Sequence, residues 1–316
     1  MHSRSSKVSV IGAGAVGASM AYAMLIRESA REVVLYDVNE AKATAEVLDL
    51  AHGTQFTGSS SISGGADISL TANSDVIVIT AGAKQNPGQT RLELAGVNFS
   101  ILKSLLPDLL KHSPEAIFVL VTNPCDVLAT AAMRLTGLPA NRVFSSGTVL
   151  DSSRLRWLLA QRFGVSTANI HANIIGEHGD SEFALWSQAA VGNVPLLDWK
   201  LEDGSTLTRD ELDAIAYSVK TAAYKVIEGK GATNFAIGLS GARIVEAVLN
   251  DEHAILPISS VLNNYHGVSG IAMSVPTLVS RNGAARTIDI TMQPHEQDLF
   301  EKSAAAIKAS LDSIGI

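Results

Sequence analysis

The sequence predicts a doubly wound α/β fold, with a parallel sheet in the N-terminal half and a mixed α+β second half, and three observations predict it. Short β-branched apolar runs alternate with helical patterns through the first half. A glycine triplet, Gly12-x-Gly14-x-x-Gly17, sits where the first strand should turn into the first helix. Past about residue 150 the alternation gives way to long helical patterns and then to β-rich segments.

Taken in order, residues 8–11, 33–37, 76–80, 117–122 and 143–146 read as buried strands. Helical patterns begin near Ala15, Ala41, Leu92 and Asp126, between most of them. This is the βαβ signature of a parallel sheet with right-handed crossovers. The second half continues with a helix over 152–163, a strand region around 172–175 and two long helices over 212–229 and 234–249. Two β-rich segments, 255–265 and 271–280, precede a C-terminal helix from His295. No repeat, low-complexity linker or charged tail interrupts the chain, so the boundary between a first domain, 1–147, and a second, 148–316, is expected to be packed rather than flexible.

The 316 residues are 47% hydrophobic and 17% charged, which suffices for a substantial core. A net charge of −7, with no basic block or stripe, argues against nucleic-acid binding and against attraction to an anionic membrane. Cys125 is the single cysteine, so no intrachain disulfide can form and no thiol partners exist for a zinc or redox site. No metal is expected, and a reducing, cytoplasmic setting fits. The charge-free run 8–26 contains Ala21-Tyr22-Ala23 and has the length of a leader or membrane segment. Gly12, Gly14 and Gly17 fall where such a helix would want leucine, and a buried strand followed by a buried helix gives the same apolar count.

The glycine triplet alone is weak evidence, because tight turns use such hexamers too. Its context is informative: it follows a strand and opens a helix. There the first glycine permits the turn, the second lets backbone approach a pyrophosphate, and the third allows close packing of helix on sheet. Asp37 ends the second strand about twenty residues beyond Gly17, placed to accept hydrogen bonds from an adenosine ribose. A 2′-phosphate there would face a negative charge, so NAD is expected rather than NADP; the plainer alternative for Asp37 is a strand-end turn former. Thr80-Ala81-Gly82-Ala83 and Val121-Thr122-Asn123-Pro124 each follow a strand, at the sheet edge where ligands bind in such folds.

In the second half His178 stands between glycines in Gly176-Glu177-His178-Gly179-Asp180, with Asp151 and Arg154 upstream. An imidazole can exchange a proton near neutral pH, a carboxylate can fix its tautomer, and a guanidinium can grip a substrate carboxylate through two parallel bonds. Each has an ordinary reading as well: a structural loop histidine, and a surface ion pair at i, i+3.

Together these segments resemble the L-lactate/malate dehydrogenase family, and within it the bacterial L-lactate dehydrogenases. The resemblance runs from Gly12-Ala13-Gly14-Ala15-Val16-Gly17 through Gln85-Asn86-Pro87-Gly88-Gln89-Thr90-Arg91, Thr122-Asn123-Pro124, Leu150-Asp151-Ser152-Ser153-Arg154 and the His178 motif to Ala232-Thr233. It implies a catalytic set of His178, Asp151, Arg91, Arg154 and Asn123, in which His178 gives its proton to a ketone oxygen as hydride arrives from the nicotinamide. Asp151 would orient and charge-stabilise the imidazole, Arg154 clamp the substrate carboxylate, Arg91 close over the site on a polar loop, and Asn123 bond the reacting oxygen. The same resemblance places Gly12, Gly14, Val16, Gly17, Asp37, Lys42, Thr80, Gly82, Ala83, Ser104, Val121, Asn123 and Ser146 against the cofactor. It puts Gln85, Arg91, Asn123, Arg154 and Thr233 against the substrate.

Gln85 occupies the position where malate enzymes carry arginine, which favours pyruvate: an enclosed oxaloacetate carboxylate would lack its counter-ion. Asn86, where many bacterial lactate enzymes have lysine, and Asn234-Phe235, where paired aromatics are common, leave larger 2-oxo acids and a malate or broad 2-hydroxy-acid activity open; Lys84 could partly compensate for the missing arginine. Arg156, two residues from Arg154 on the same helix, should point away from the active site. With His171 it matches the pair that binds fructose 1,6-bisphosphate at a subunit interface in activated relatives, which implies an allosteric homotetramer. An exposed arginine and a strand-end histidine are the alternative.

Overall fold

The computed structural model describes residues 5–83 and 91–316, and every side chain among them except those of Arg91 and Leu92. The first half runs β1 (Lys7–Ile11), α1 (Ala15–Arg27), β2 (Glu32–Tyr36), α2 (Glu40–His52), β3 (Ser61–Gly65), β4 (Val76–Ile79), α3 (Arg91–His112), β5 (Ile117–Leu120), α4 (Cys125–Thr136) and β6 (Val143–Ser145). The second half follows with α5 (Val149–Phe163), β7 (Ile170–His171), β8 (Ile174–Ile175), β9 (Phe183–Ala184), β10 (Ala190–Val191), β11 (Val194–Pro195), α6 (Arg209–Lys230) and α7 (Phe235–Leu249). It ends with β12 (Ala254–Leu256), β13 (Ser259–Val261), β14 (Ala272–Ser274), β15 (Thr277–Ser280), β16 (Gly283–Thr287) and α8 (Pro294–Ser313).

The apolar runs become strands buried on both faces, as a parallel sheet covered by helices requires. Alternate side chains go to opposite layers. Val8, Val10, Val76, Val78, Ile117 and Val119 join Met20 and Met24 of α1 and Val245 of α7. Ile11, Ile77, Ile79, Phe118 and Leu120 face Leu102, Leu106 and Leu109 of α3.

The main sheet has the order β14-β13-β6-β5-β4-β1-β2-β3. β1 pairs with β2 on one side and β4 on the other, all parallel, so the winding reverses there and a crevice opens at the carboxyl ends of β1 and β4. The second half also enters this sheet, because β13 pairs antiparallel with β6 and β14 with β13.

Four departures from the sequence reading have physical causes. β3, Ser-Ile-Ser-Gly-Gly, lacks an apolar run because it is the outer strand and mostly unburied. The expected strand around 172–175 is two short strands, β7 and β8, in different sheets. β16 follows the expected last strand, closing a small antiparallel sheet with β15 and β12. Helix α5 begins at Val149 rather than 152, which brings Asp151 into its first turn. Among the described residues, no helix is long and apolar enough to cross a membrane.

The glycine turn is fixed by space. Gly12 has φ +108°, a conformation glycine alone adopts readily, and a Cβ on Gly17 would stand 1.8 Å from the Gly12 carbonyl oxygen. Gly17→Ala is therefore expected to lower stability by about 1–3 kcal/mol and to weaken NADH binding. Urea unfolding and NADH fluorescence titration check this, and wild-type values in both would refute the packing argument.

Candidate active site

At the nucleotide end of the crevice, the Gly12 amide donates to Tyr36 O at 2.7 Å and the Ala13 amide to Asp37 Oδ2 at 2.7 Å. Asp37 Oδ1 takes the Asn39 amide at 2.9 Å, so this carboxylate also braces the glycine loop. Gly14 caps α1 with no side-chain hydrogen bond, and a Cβ there would meet nothing within 4 Å. An uncapped helix start beside open space is what a pyrophosphate needs, and Asp37 retains lone pairs for ribose hydroxyls. The residues present therefore fit NAD.

Thr80 Oγ1 donates to Gly12 O at 3.0 Å and Thr122 Oγ1 to Ala81 O at 2.8 Å, tying the strand-end loops together. Asn98, absent from the sequence reading, accepts from the Ala83 amide at 2.7 Å and donates to Asn123 O at 2.8 Å. Gly82 packs so closely that its Cβ would lie 2.3 Å from Thr122 Cγ2. Ser146 is buried with its amide on Leu120 O, and Val16 is half-buried behind the glycine turn. Lys42 is exposed on α2, and Ser104 is exposed on α3 with its hydroxyl turned back to Ile101 O. Among the described residues, no hydrogen bond ties either of these two side chains to the loops.

At the other end, α5 presents Asp151 and Arg154 one turn apart. Asp151 is 1% exposed; its Oδ2 lies 2.7 Å from His178 Nδ1 and its Oδ1 2.6 Å from Arg154 Nη1. Three anchors hold the histidine loop: the Gly176 amide on Ser274 O of β14, the Glu177 amide on Ser303 Oγ of α8 at 2.6 Å, and the His178 amide on Asp126 Oδ2 of α4 at 2.6 Å. Asp126 is buried and was not singled out from the sequence, where an acid in a helix's first turn is unremarkable.

Burial opposes charge on His178, but the Asp151 carboxylate outweighs it through proximity and a hydrogen bond, with Glu182 and Asp126 adding to it, and the pKa rises to about 9. Burial likewise opposes ionisation of Asp151, yet His178 and Arg154 hold its pKa below the usual carboxylate value. Asp126 is pushed up by burial. Glu182 is a further group that the sequence reading passed over: one donor atom each from Asp151, His178 and Glu182 lie within 4.8 Å of one another. The signal for it was a carboxylate one helical-turn distance past His178, which only the loop's path makes meaningful.

Arg156 does diverge from Arg154. Its Nε donates to Ala172 O at 2.9 Å and its Nη2 to Asn173 Oδ1 at 2.8 Å, and His171, which precedes Ala172 at the end of β7, is exposed. Thr233 is half-buried just before α7. The Asn123–Pro124 peptide is cis at the mouth of the crevice. Gln85 and the side chain of Arg91 lie outside the described residues.

These two ends, a nucleotide cradle and a histidine–carboxylate pair beside a guanidinium, define a dehydrogenase. Residues 6–145 match the lactate/malate dehydrogenase NAD-binding domain and residues 148–315 the lactate/malate dehydrogenase alpha/beta C-terminal domain, so the chain belongs to the lactate/malate dehydrogenase family. It is 47% identical to an L-lactate dehydrogenase of Bifidobacterium animalis subsp. lactis over 98% of this chain and 97% of that one. It is 44% identical to an L-lactate dehydrogenase of a Synechococcus strain over 98% and 99%. The crystal structure of a minor L-lactate dehydrogenase from Enterococcus mundtii superposes with a TM-score of 0.94 at 39% identity, covering 99% of each chain. Within the family the chain groups with the NAD-dependent L-lactate dehydrogenases.

Proposed function

We propose that this enzyme reduces pyruvate to L-lactate with NADH, reversibly, and that His178 is the proton donor. The observation that carries the reading is the single buried carboxylate of Asp151 holding both His178 Nδ1 and Arg154 Nη1. With Nδ1 committed to Asp151, Nε2 is left to give a proton to the ketone oxygen and to take it back from the alcohol. Arg154 keeps its Nε–Nη2 edge for the substrate carboxylate, since among the described residues its one hydrogen bond runs through Nη1. The glycine turn and Asp37 would hold the cofactor, which when bound as NADH supplies the hydride for reduction and as NAD+ accepts it in the reverse direction. Asn123 supports the reacting oxygen and Thr233 lines the substrate end, and the family resemblance assigns Arg91 the exclusion of water.

Gln85 makes pyruvate the preferred 2-oxo acid, because a neutral amide leaves the second carboxylate of oxaloacetate unpaired. Activation by fructose 1,6-bisphosphate is supported by the match of Arg156 and His171 to the family's phosphate-binding pair and by a cavity of 500 Å³ that Arg156 and Arg243 both line. Exposed Trp157, Phe235 and Leu239 on α5 and α7, with Tyr22 and Ile26 on α1, support assembly into a tetramer. Buried Cys125, the one cysteine, suits the cytoplasm.

The test is the initial rate of NADH oxidation with pyruvate and with oxaloacetate at equal concentration, each with and without the bisphosphate. Pyruvate is expected to react on the order of 10²-fold faster, the worth of one unpaired buried charge. The bisphosphate is expected to lower the pyruvate KM. An oxaloacetate preference would overturn the substrate assignment, and rates indifferent to bisphosphate would overturn the activation.

A further inference from the structure

Glu182 lies four residues past His178, just before β9, in the loop pinned by Ser274, Ser303 and Asp126. Its carboxylate, an oxygen of Asp151 and a ring nitrogen of His178 fall within 4.8 Å of one another, so two acids flank the imidazole. Asp151 is committed on both oxygens, whereas Glu182 also lines a cavity of 230 Å³ between α6 and α8.

We propose that Glu182 is a positioning residue that sets the upper pH limit of ketone reduction, its carboxylate lying against the His178 imidazole and helping Asp151 to hold the proton in place. The inference rests on the reading of His178 as proton donor. Burial and then the neighbouring Asp151 charge push Glu182 up to about 8, below the value of about 9 for His178. Once ionised, Glu182 places a second negative charge against the imidazolium.

The surrounding charges agree. His178, Arg154 of α5 and Lys220 of α6 favour ionisation of Glu182, while Asp151 opposes it. Arg209 and Asp213 of α6 pair with each other at 3.2 Å, His295 of α8 shares the cavity wall, and Asp126 acts on the imidazole.

The experiment is the pH profile of kcat/KM for pyruvate at saturating NADH, for the wild type and for Glu182→Gln, Glu182→Asp, Lys220→Met and His178→Asn. Glu182→Gln is expected to move the alkaline limb down by about one pH unit, the effect of a like-sized charge at this range, and Glu182→Asp to restore most of it. Lys220→Met delays Glu182 ionisation, so its limb should fall in the same direction by less, and it carries the test if the Gln variant fails to fold. An alkaline limb that stays in place in Glu182→Gln, or in Lys220→Met where that variant alone is measurable, overturns the proposal. His178→Asn separates the two readings: if it retains the wild-type rate and limb, the proton donor is misassigned, whereas its inactivity beside an unmoved Glu182→Gln limb removes Glu182 alone.

Discussion

Replacing His178 with asparagine is expected to lower kcat for pyruvate reduction by on the order of 10³, while NADH still binds with near wild-type affinity. The amide keeps a donor near the Nδ1 position for Asp151, so the pocket stays filled, but it cannot give up a proton. What remains is the activity that substrate placement by Arg154 and hydride proximity supply unaided. The same variant should lose the alkaline limb of the wild type. The sign follows from which state works: reduction needs protonated His178, so its rate is constant below the limb and falls as pH rises through about 9. Oxidation of lactate needs the neutral ring and must rise over the same interval. A proton held up to about 9 is expected to favour the reduction-competent form at neutral pH, because Asp151 and its neighbours stabilise it on a group whose ordinary value is near 6.5. Steady-state kinetics from pH 6 to 10 in both directions check this; a His178→Asn variant that still turns over within tenfold would refute the assignment.

Much of this site was legible in the sequence, and the legible part shares one property: local spacing determines it. The first strand and its glycine turn, Asp37 at the end of the second strand, and the i, i+3 placement of Asp151 and Arg154 all depend on a few adjacent residues. So does the divergence of Arg154 and Arg156, which the structure sends to Asp151 and to Ala172 with Asn173. What escaped depends on chain segments meeting across long distances. Asp126 looks like any acid opening a helix until His178, fifty-two residues on, places its amide against it. Ser303 in the C-terminal helix, which takes the Glu177 amide, carries no signal of its own. The addition of β13 and β14 to the main sheet is of the same kind, since nothing in a three-residue strand names its partner. β3 was missed for the opposite reason: at an open sheet edge, pairing demands little apolar content, so Ser61–Gly65 lacks the pattern that betrays a buried strand.

Arg154→Lys should cost nearly as much as loss of the histidine, and by a different route. The positive charge is retained, yet kcat/KM for pyruvate is expected to fall by about 3–4 kcal/mol, or on the order of 10²–10³-fold, with most of the loss in KM. Geometry is the reason. The guanidinium of Arg154 gives Nη1 to Asp151 at 2.6 Å and can still offer its other edge to a carboxylate as a planar pair of donors. A lysine ammonium is a point charge on a different stem: if it stays with Asp151 it abandons the substrate, and if it reaches the substrate it leaves Asp151 Oδ1 without that partner. Because Asp151 is 1% exposed, the second outcome also removes one of the two charges that keep its carboxylate ionised. The imidazole proton should nonetheless stay, since His178 itself is the larger influence on Asp151. Arg154→Lys is thus expected to raise the pyruvate KM steeply while leaving the alkaline limb within a few tenths of a pH unit. Glu182→Gln is expected to do the reverse, and measuring both profiles on one enzyme preparation separates anchoring of the substrate from retention of the proton.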